Sequence, residues 1–329
     1  MTGDQSHVTK SLAQFVAGSQ WDAIPPEVRC EGVRGLLNFV GCALGGARDE
    51  AMDIAVTVLA PFFGAPQAIV IGRGERPDAL NAAFLNAVSA NVLEYDDTHV
   101  GTVMHPAGPV ASGLFALAEL RPVSGRELLH AFILGVETSC RVGLAVMPTH
   151  YRRGWHITAT CGIFGAAAAC ARLIGLDVRR TAWALGHAAT QSASLVESLG
   201  SMSKSLGVGN AAKNGLAAAL LAEGGFSGPD KPIEGRYGVC GGDQRLGRSR
   251  AYNRRDRRTL GSAEQRVQAL SVRGRTVPGH RRLFRTTRPS CAGAGSNRPR
   301  RRARPPADAR AHRPAERRER ARCQGQPAA

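Results

Sequence analysis

The sequence predicts a mainly α fold for residues 1–238, and three observations predict it. Apolar residues before position 225 recur with helical rather than strand period. Start and stop signals bracket those runs, and one short segment, 68–71, has the look of a strand. The charge distribution marks where this body ends: residues 1–238 hold 18 basic and 20 acidic side chains, residues 239–329 hold 25 basic and 6 acidic, and the formal total is +17. All four Lys and every Ile, Met and Trp lie before position 239, and the remainder has only nine Val, Leu or Phe. A segment so poor in large apolar residues and so charged cannot bury a core, so 239–329 is expected to be a disordered, Arg-rich tail.

The elements follow in order along the body. Pro25 and Pro26 open a helix carrying Val28, Val33, Leu36, Leu37 and Val40, and Gly45–Gly46 is expected to close it. Helical patterns continue at 81–95 and 109–119. Ser124 and Glu127 form a capping box that opens the run 128–144, because each side chain can satisfy the other's orphan backbone amide. Further helices are predicted at 158–173, 180–195 and 210–223. The Ala- and Gly-rich faces of these segments allow close approach of helix backbones.

Composition also limits location and chemistry. The N-terminal residues lack a basic region followed by an apolar run, and the longest apolar stretch, 162–176, contains Arg172 and reads as too short to span a membrane. The eight cysteines include no C-x-x-C pair and no cluster with His, which speaks against a zinc site and for inert core thiols in a reducing compartment. A cytoplasmic protein without a membrane partner is the expectation.

Three polar clusters interrupt the apolar helices, where a buried polar group must be paired or used. If the helix at 81–95 runs on, Glu94, Asp97 and Thr98 share one face and His105 begins the next turn; a solvated helix end is the plain alternative. His156, in Gly154-Trp155-His156, precedes a small-residue helix whose N-terminus would favour its neutral form, and a simple polar cap is the alternative. Lys204 lies in a Gly/Ser segment that lacks Walker spacing and reads as a loop before a helix, either anion-binding or merely solvated. Two histidines, a lysine and a carboxylate suit proton abstraction beside a carboxylate group, followed by elimination or decarboxylation.

The strings YDDTH at 95–99, HPAGPV at 105–110, GWH at 154–156 and SKSLGVGNAAKNG at 203–215, in that order, resemble the MmgE/PrpD family. That family includes 2-methylcitrate dehydratases, cis-aconitate decarboxylases and an iminodisuccinate epimerase. The resemblance implies a large all-helical domain, a smaller α/β lid, a homodimer, and chemistry on di- or tricarboxylates without cofactor or metal. It puts the family's acid on Glu94, where an Asp is usual, with its threonine on Thr98, its histidines on His105 and His156, and its lysine on Lys204. By this reading His105 and His156 transfer protons, Glu94 orients a histidine, and Thr98, Asp97 and Lys204 hold substrate. A 2-methylcitrate dehydratase-like elimination is the first expectation, with a decarboxylase or epimerase member as the alternative.

The family's lid is expected soon after 234–238, where recognisable sequence stops. Val267–Leu283 can be encoded so that reading one base later spells FKPYPCGVVLFPVIDA, which looks like a lid segment of this family. A shifted reading frame near 238–242 therefore accounts for the Arg-rich tail, and resequencing codons 236–245 tests it. On this account the α/β lid is missing and the chain is poorly active, at the limit a nonfunctional fragment. Nucleic-acid binding by the tail through phosphates is the competing reading, and the absence of Lys together with the recoverable segment argues against it.

Overall fold

A computed structural model describes residues 7–240, and residues 241–329 of the tail, with the expectations placed on them, lie outside the described residues. The described elements are helical: α1 (Val8–Gly18), α2 (Pro26–Gly46), α3 (Glu50–Leu59), α4 (Ala79–Asn91), α5 (Ala107–Leu120), α6 (Gly125–Val146), α7 (Thr149–Arg152), α8 (Ile157–Ile174), α9 (Val178–Thr190) and α10 (Ser203–Glu223). The mainly α expectation holds, with no strand among the described residues.

Helix α8 is the centre of the packing. Every residue from Ile157 to Ala171 is buried, with α6 and α10 as its most extensive neighbours and α5 and α9 also against it. Small residues make this possible: a Cβ on Gly165 would overlap Ser139 Oγ and come within 2.5 Å of the Gly135 carbonyl oxygen. Helices α6 and α8 thus meet nearly backbone to backbone, as the Gly- and Ala-rich faces predicted. By length and composition α6 and α8 could each cross a membrane, which corrects the expectation that the apolar stretch is too short; 72% and 83% of their apolar windows are buried inside the fold, the pattern of core helices.

Local signals explain several helix starts. Pro26 occupies the first turn of α2, where its missing amide costs nothing, and the Ser124–Glu127 capping box opens α6. Asp78 accepts from the amides of Leu80 and Asn81 to start α4, and Asp177 accepts from Arg180 N to start α9.

Five expectations need correction. Gly46 belongs to the last turn of α2, where the helix presses against α4 and Ser89 Oγ donates to the Ala43 carbonyl at 2.6 Å. Helix α4 ends at Asn91 instead of 95, and α9 ends at Thr190 instead of 195. Helix α10 begins at Ser203, so the Gly/Ser segment around Lys204 is helical. Residues 68–71 form no strand: Ile69 N donates to Glu119 Oε1, Ile71 N donates to Asn86 Oδ1, and Asn86 Nδ2 donates back to the Ile69 carbonyl. Side chains from α4 and α5 take the place of a neighbouring strand.

The end of the described chain is tied to its start. Glu234 Oε2 accepts from the Thr9 amide at 3.1 Å and the Thr9 hydroxyl at 2.5 Å, and Ile233 N donates to Thr9 Oγ1. Cys42, Cys161 and Cys170 are buried, and burial pushes each thiol up to about 12, which keeps them unreactive as expected.

Candidate active site

Residues 92–106 connect α4 to α5 as an irregular loop, closed on itself by a single bridge between His99 and Met104. Because α4 stops early, Glu94, Asp97 and Thr98 do not share a helix face. Glu94 takes a left-handed backbone (φ 56°), a conformation disfavoured for a residue with a Cβ, and the chain changes direction there. Asp97 turns inward and its Oδ1 accepts from Ala107 N, at the first residue of α5. It pins the loop to α5 through this bond and is buried, as Lys204 and His156 are.

His105 stands at the end of this loop. Its Nδ1 lies 2.9 Å from the Asp97 carbonyl oxygen and 3.2 Å from Thr98 Oγ1. A carbonyl only accepts, so Nδ1 carries the hydrogen and Nε2 is left with the lone pair that a base needs. The His105 backbone amide donates to Thr158 Oγ1 in the first turn of α8, tying the loop to the central helix.

His156 is the N-terminal neighbour of α8, 4% exposed, with its own amide donating to the Ser194 carbonyl. Burial, then the electrostatic influence of Lys204 and of the His105 ring, push its pKa down to about 4, against a weaker pull upward from Glu94. The ring is therefore neutral at physiological pH, as the helix N-terminus suggested, although burial is the main cause.

Lys204 lies in the first turn of α10 and is 4% exposed. The solvated-loop alternative is thereby overturned. Its ammonium approaches Glu94 Oε1 at 2.9 Å without the alignment of a hydrogen bond, and the Glu94 side chain is 61% exposed. Glu94 thus meets the lysine, where the resemblance had it orienting a histidine; the carboxylate beside His105 is Asp96, with Oδ1 at 3.4 Å from Nδ1.

Three buried atoms here lack hydrogen-bond partners: His156 Nδ1, Lys204 Nζ and Asp96 Oδ1. Buried polar groups are nearly always satisfied, so three such atoms on one set of interacting charges make this the candidate site among the described residues. The structure brings Glu94, Thr98, His105, His156 and Lys204 into this set, and among the described residues no group of three His, Cys, Asp or Glu side chains is arranged to hold a metal. Asp96, Asn91 and Ser205 were not singled out from sequence. The doubled acid in YDDTH, directly after an all-round buried helix, was the available signal.

Two histidines and a buried lysine in one helical domain are side chains able to move protons beside an anion. The chain belongs to the MmgE/PrpD family, whose N-terminal domain profile matches residues 10–242. It is similar to cis-aconitate decarboxylase of Aspergillus terreus, 31% identical over 241 residues that cover 71% of this chain and 49% of that protein. It is likewise similar to cis-aconitate decarboxylase of Homo sapiens, 31% identical over 234 residues, 69% of this chain and 48% of the relative. The Mus musculus protein of the same name is 29% identical over 228 residues, 67% and 46%. The chain thus spans about half the length of the curated relatives it matches, and the matched family region ends close to the change of composition at 238.

Proposed function

We propose that residues 94–204 form the proton-transfer part of a carboxylate lyase site, and that the reaction is decarboxylation of an unsaturated tricarboxylate of the cis-aconitate kind. The observation that carries this reading is the buried pair of His156 Nδ1 and Lys204 Nζ, both without a hydrogen-bond partner. Similarity to cis-aconitate decarboxylases supports the choice of substrate.

The chemistry asks three things of the protein. A carboxylate on the carbon next to a carbon–carbon double bond leaves as CO2; the electron pair of the broken bond forms a new double bond from that carbon, and the far carbon of the old double bond takes a proton. Lys204 and the Thr98 hydroxyl anchor the carboxylates that stay. A histidine delivers the proton and later recovers one from water. His156 is neutral in the ligand-free site because of burial and neighbouring positive charge. A polyanion bound beside it reverses the electrostatic contribution and raises its proton affinity, so the acid forms only when substrate is present. His105, with Nδ1 held by the Asp97 carbonyl, presents Nε2 as the second proton carrier.

Elimination of water from a 2-methylcitrate-like hydroxy acid is the second reading, and the neutral state of His156 favours it, since a base must start that reaction. Incubating the purified chain separately with cis-aconitate and with 2-methylcitrate, followed by proton NMR and calorimetric binding, decides between them. The first reading expects the single alkene proton of cis-aconitate to give way to a terminal methylene pair, with both binding and conversion lost in Lys204→Ala and His156→Ala. Dehydration of 2-methylcitrate alone selects the second reading. A folded chain that neither binds nor converts either compound overturns both.

A further inference from the structure

Behind His105 lies a line of buried polar groups that reaches the helix carrying Lys204. Ser205 Oγ donates to Asn91 Oδ1 at 3.2 Å, and Asn91 Nδ2 donates to Asp96 Oδ2 at 2.7 Å. Asp96 Oδ1 then lies 3.4 Å from His105 Nδ1. The Asp96 side chain is 1% exposed, and Asn91 and Ser205 are also buried. A buried carboxylate is costly unless it is paired or used. Here one oxygen is held by an amide and the other faces a histidine with no hydrogen bond of its own.

We propose that Asp96, held by Asn91 and Ser205, is the positioning carboxylate of His105: it supplies the negative charge that stabilises the imidazolium when Nε2 takes up a proton. The assignment rests on the carboxylate lyase reading for its meaning in turnover, and its geometry stands apart from that reading. The Asp97 carbonyl already fixes which ring nitrogen carries hydrogen. What the carbonyl cannot provide is a charge that appears opposite the imidazolium as it forms, and Asp96 is the carboxylate placed to provide it. Other groups act on the pair: Lys204 from α10 acts on Asp96, adjacent Asp97 on both, and His156 at the start of α8 on His105. Glu94 is spent on Lys204. The line also couples two parts of the site, because Ser205 adjoins Lys204 in sequence while Asp96 meets His105. A shift of α10 that moved the lysine would move the carboxylate behind the histidine too.

The test is Asp96→Asn in the full chain, which keeps shape and removes charge. Imidazole nitrogen NMR of His105 should show the ring taking up its proton less readily than in the wild type, the effect of losing an opposite charge at this range. Turnover should fall at least about tenfold in kcat, on the scale of lost acid–base assistance, with KM changed less than about twofold. An unchanged His105 titration in a folded Asp96→Asn chain overturns the proposal. Should that variant fail to fold, Ser205→Ala releases Asn91 and is read the same way: a His105 titration displaced downward supports the line, an unmoved one overturns it. The NMR readout needs no substrate, so a chain that neither binds nor converts a carboxylate contradicts the lyase reading while the titration still decides the role of Asp96.

Discussion

Protonating His156 inside the fold costs stability, and its surroundings set the amount. Burial, Lys204 and His105 hold the ring neutral and lower its pKa from 6.5 to about 4. An unfolded chain takes the proton near the ordinary value, so between the two values the unfolded state binds more protons and stability falls as the pH is lowered. The contribution is present in full above the unfolded pKa and is lost as pH drops toward the folded one. Between about pH 7 and about pH 5.5 this single group removes ~1 kcal/mol, taking 1.36 kcal/mol per unit as the scale. His130 and His150, also lowered to about 4 by burial, add losses of the same sign. Asp96 and Asp97, raised by burial, act oppositely, since the folded state takes up their protons first as pH falls. His156→Gln removes one titration and leaves the other groups in place. Urea unfolding of both chains at the two pH values should show the wild type losing about 1 kcal/mol more than the variant. Equal losses would refute a buried, neutral His156.

Three further outcomes follow from the packing and the site. Gly165→Ala forces apart α6 and α8, where a Cβ would meet Ser139 Oγ and the Gly135 carbonyl, and should destabilise by at least ~2 kcal/mol in urea unfolding, whereas an unchanged midpoint would contradict the close crossing. Asn86→Ala strips both polar partners from the backbone at Ile69 and Ile71 and should cost about 1–3 kcal/mol, with faster amide exchange at Ile71 as its signature. Lys204→Met removes a buried charge whose partner is largely exposed, so thermal stability should hold or rise while tricarboxylate binding measured by calorimetry disappears.

Helix starts were the most legible part of the fold, because capping is local chemistry. Ser124 and Glu127 announce α6 within four residues, and the small-residue run at α8 declares a close-packed core. Helix ends and the loop between α4 and α5 were not legible, since they depend on tertiary partners. The pattern at 81–95 stays apolar past Asn91, yet the chain turns because Asn91 is taken by Asp96 and Ser205. Residues 203–209 read as loop through their Ser and Gly content, but a Cβ on Gly209 would press on Phe84, so there glycine serves the contact of α10 with α4. For the site, residue types identified His105, His156 and Lys204 as a set, while the division of labour among Glu94, Asp96 and Asp97 depended on which way an irregular loop turned each carboxylate.

The account turns on a neutral, buried His156 beside Lys204 that becomes an acid only when a polyanion binds. Following the His156 ring by carbon-detected NMR titration, with and without saturating cis-aconitate, tests this directly. The account predicts a midpoint of about 4 in the free chain and a clear rise on binding. A midpoint at the ordinary histidine value in the free chain, or one that cis-aconitate leaves unmoved, would contradict it.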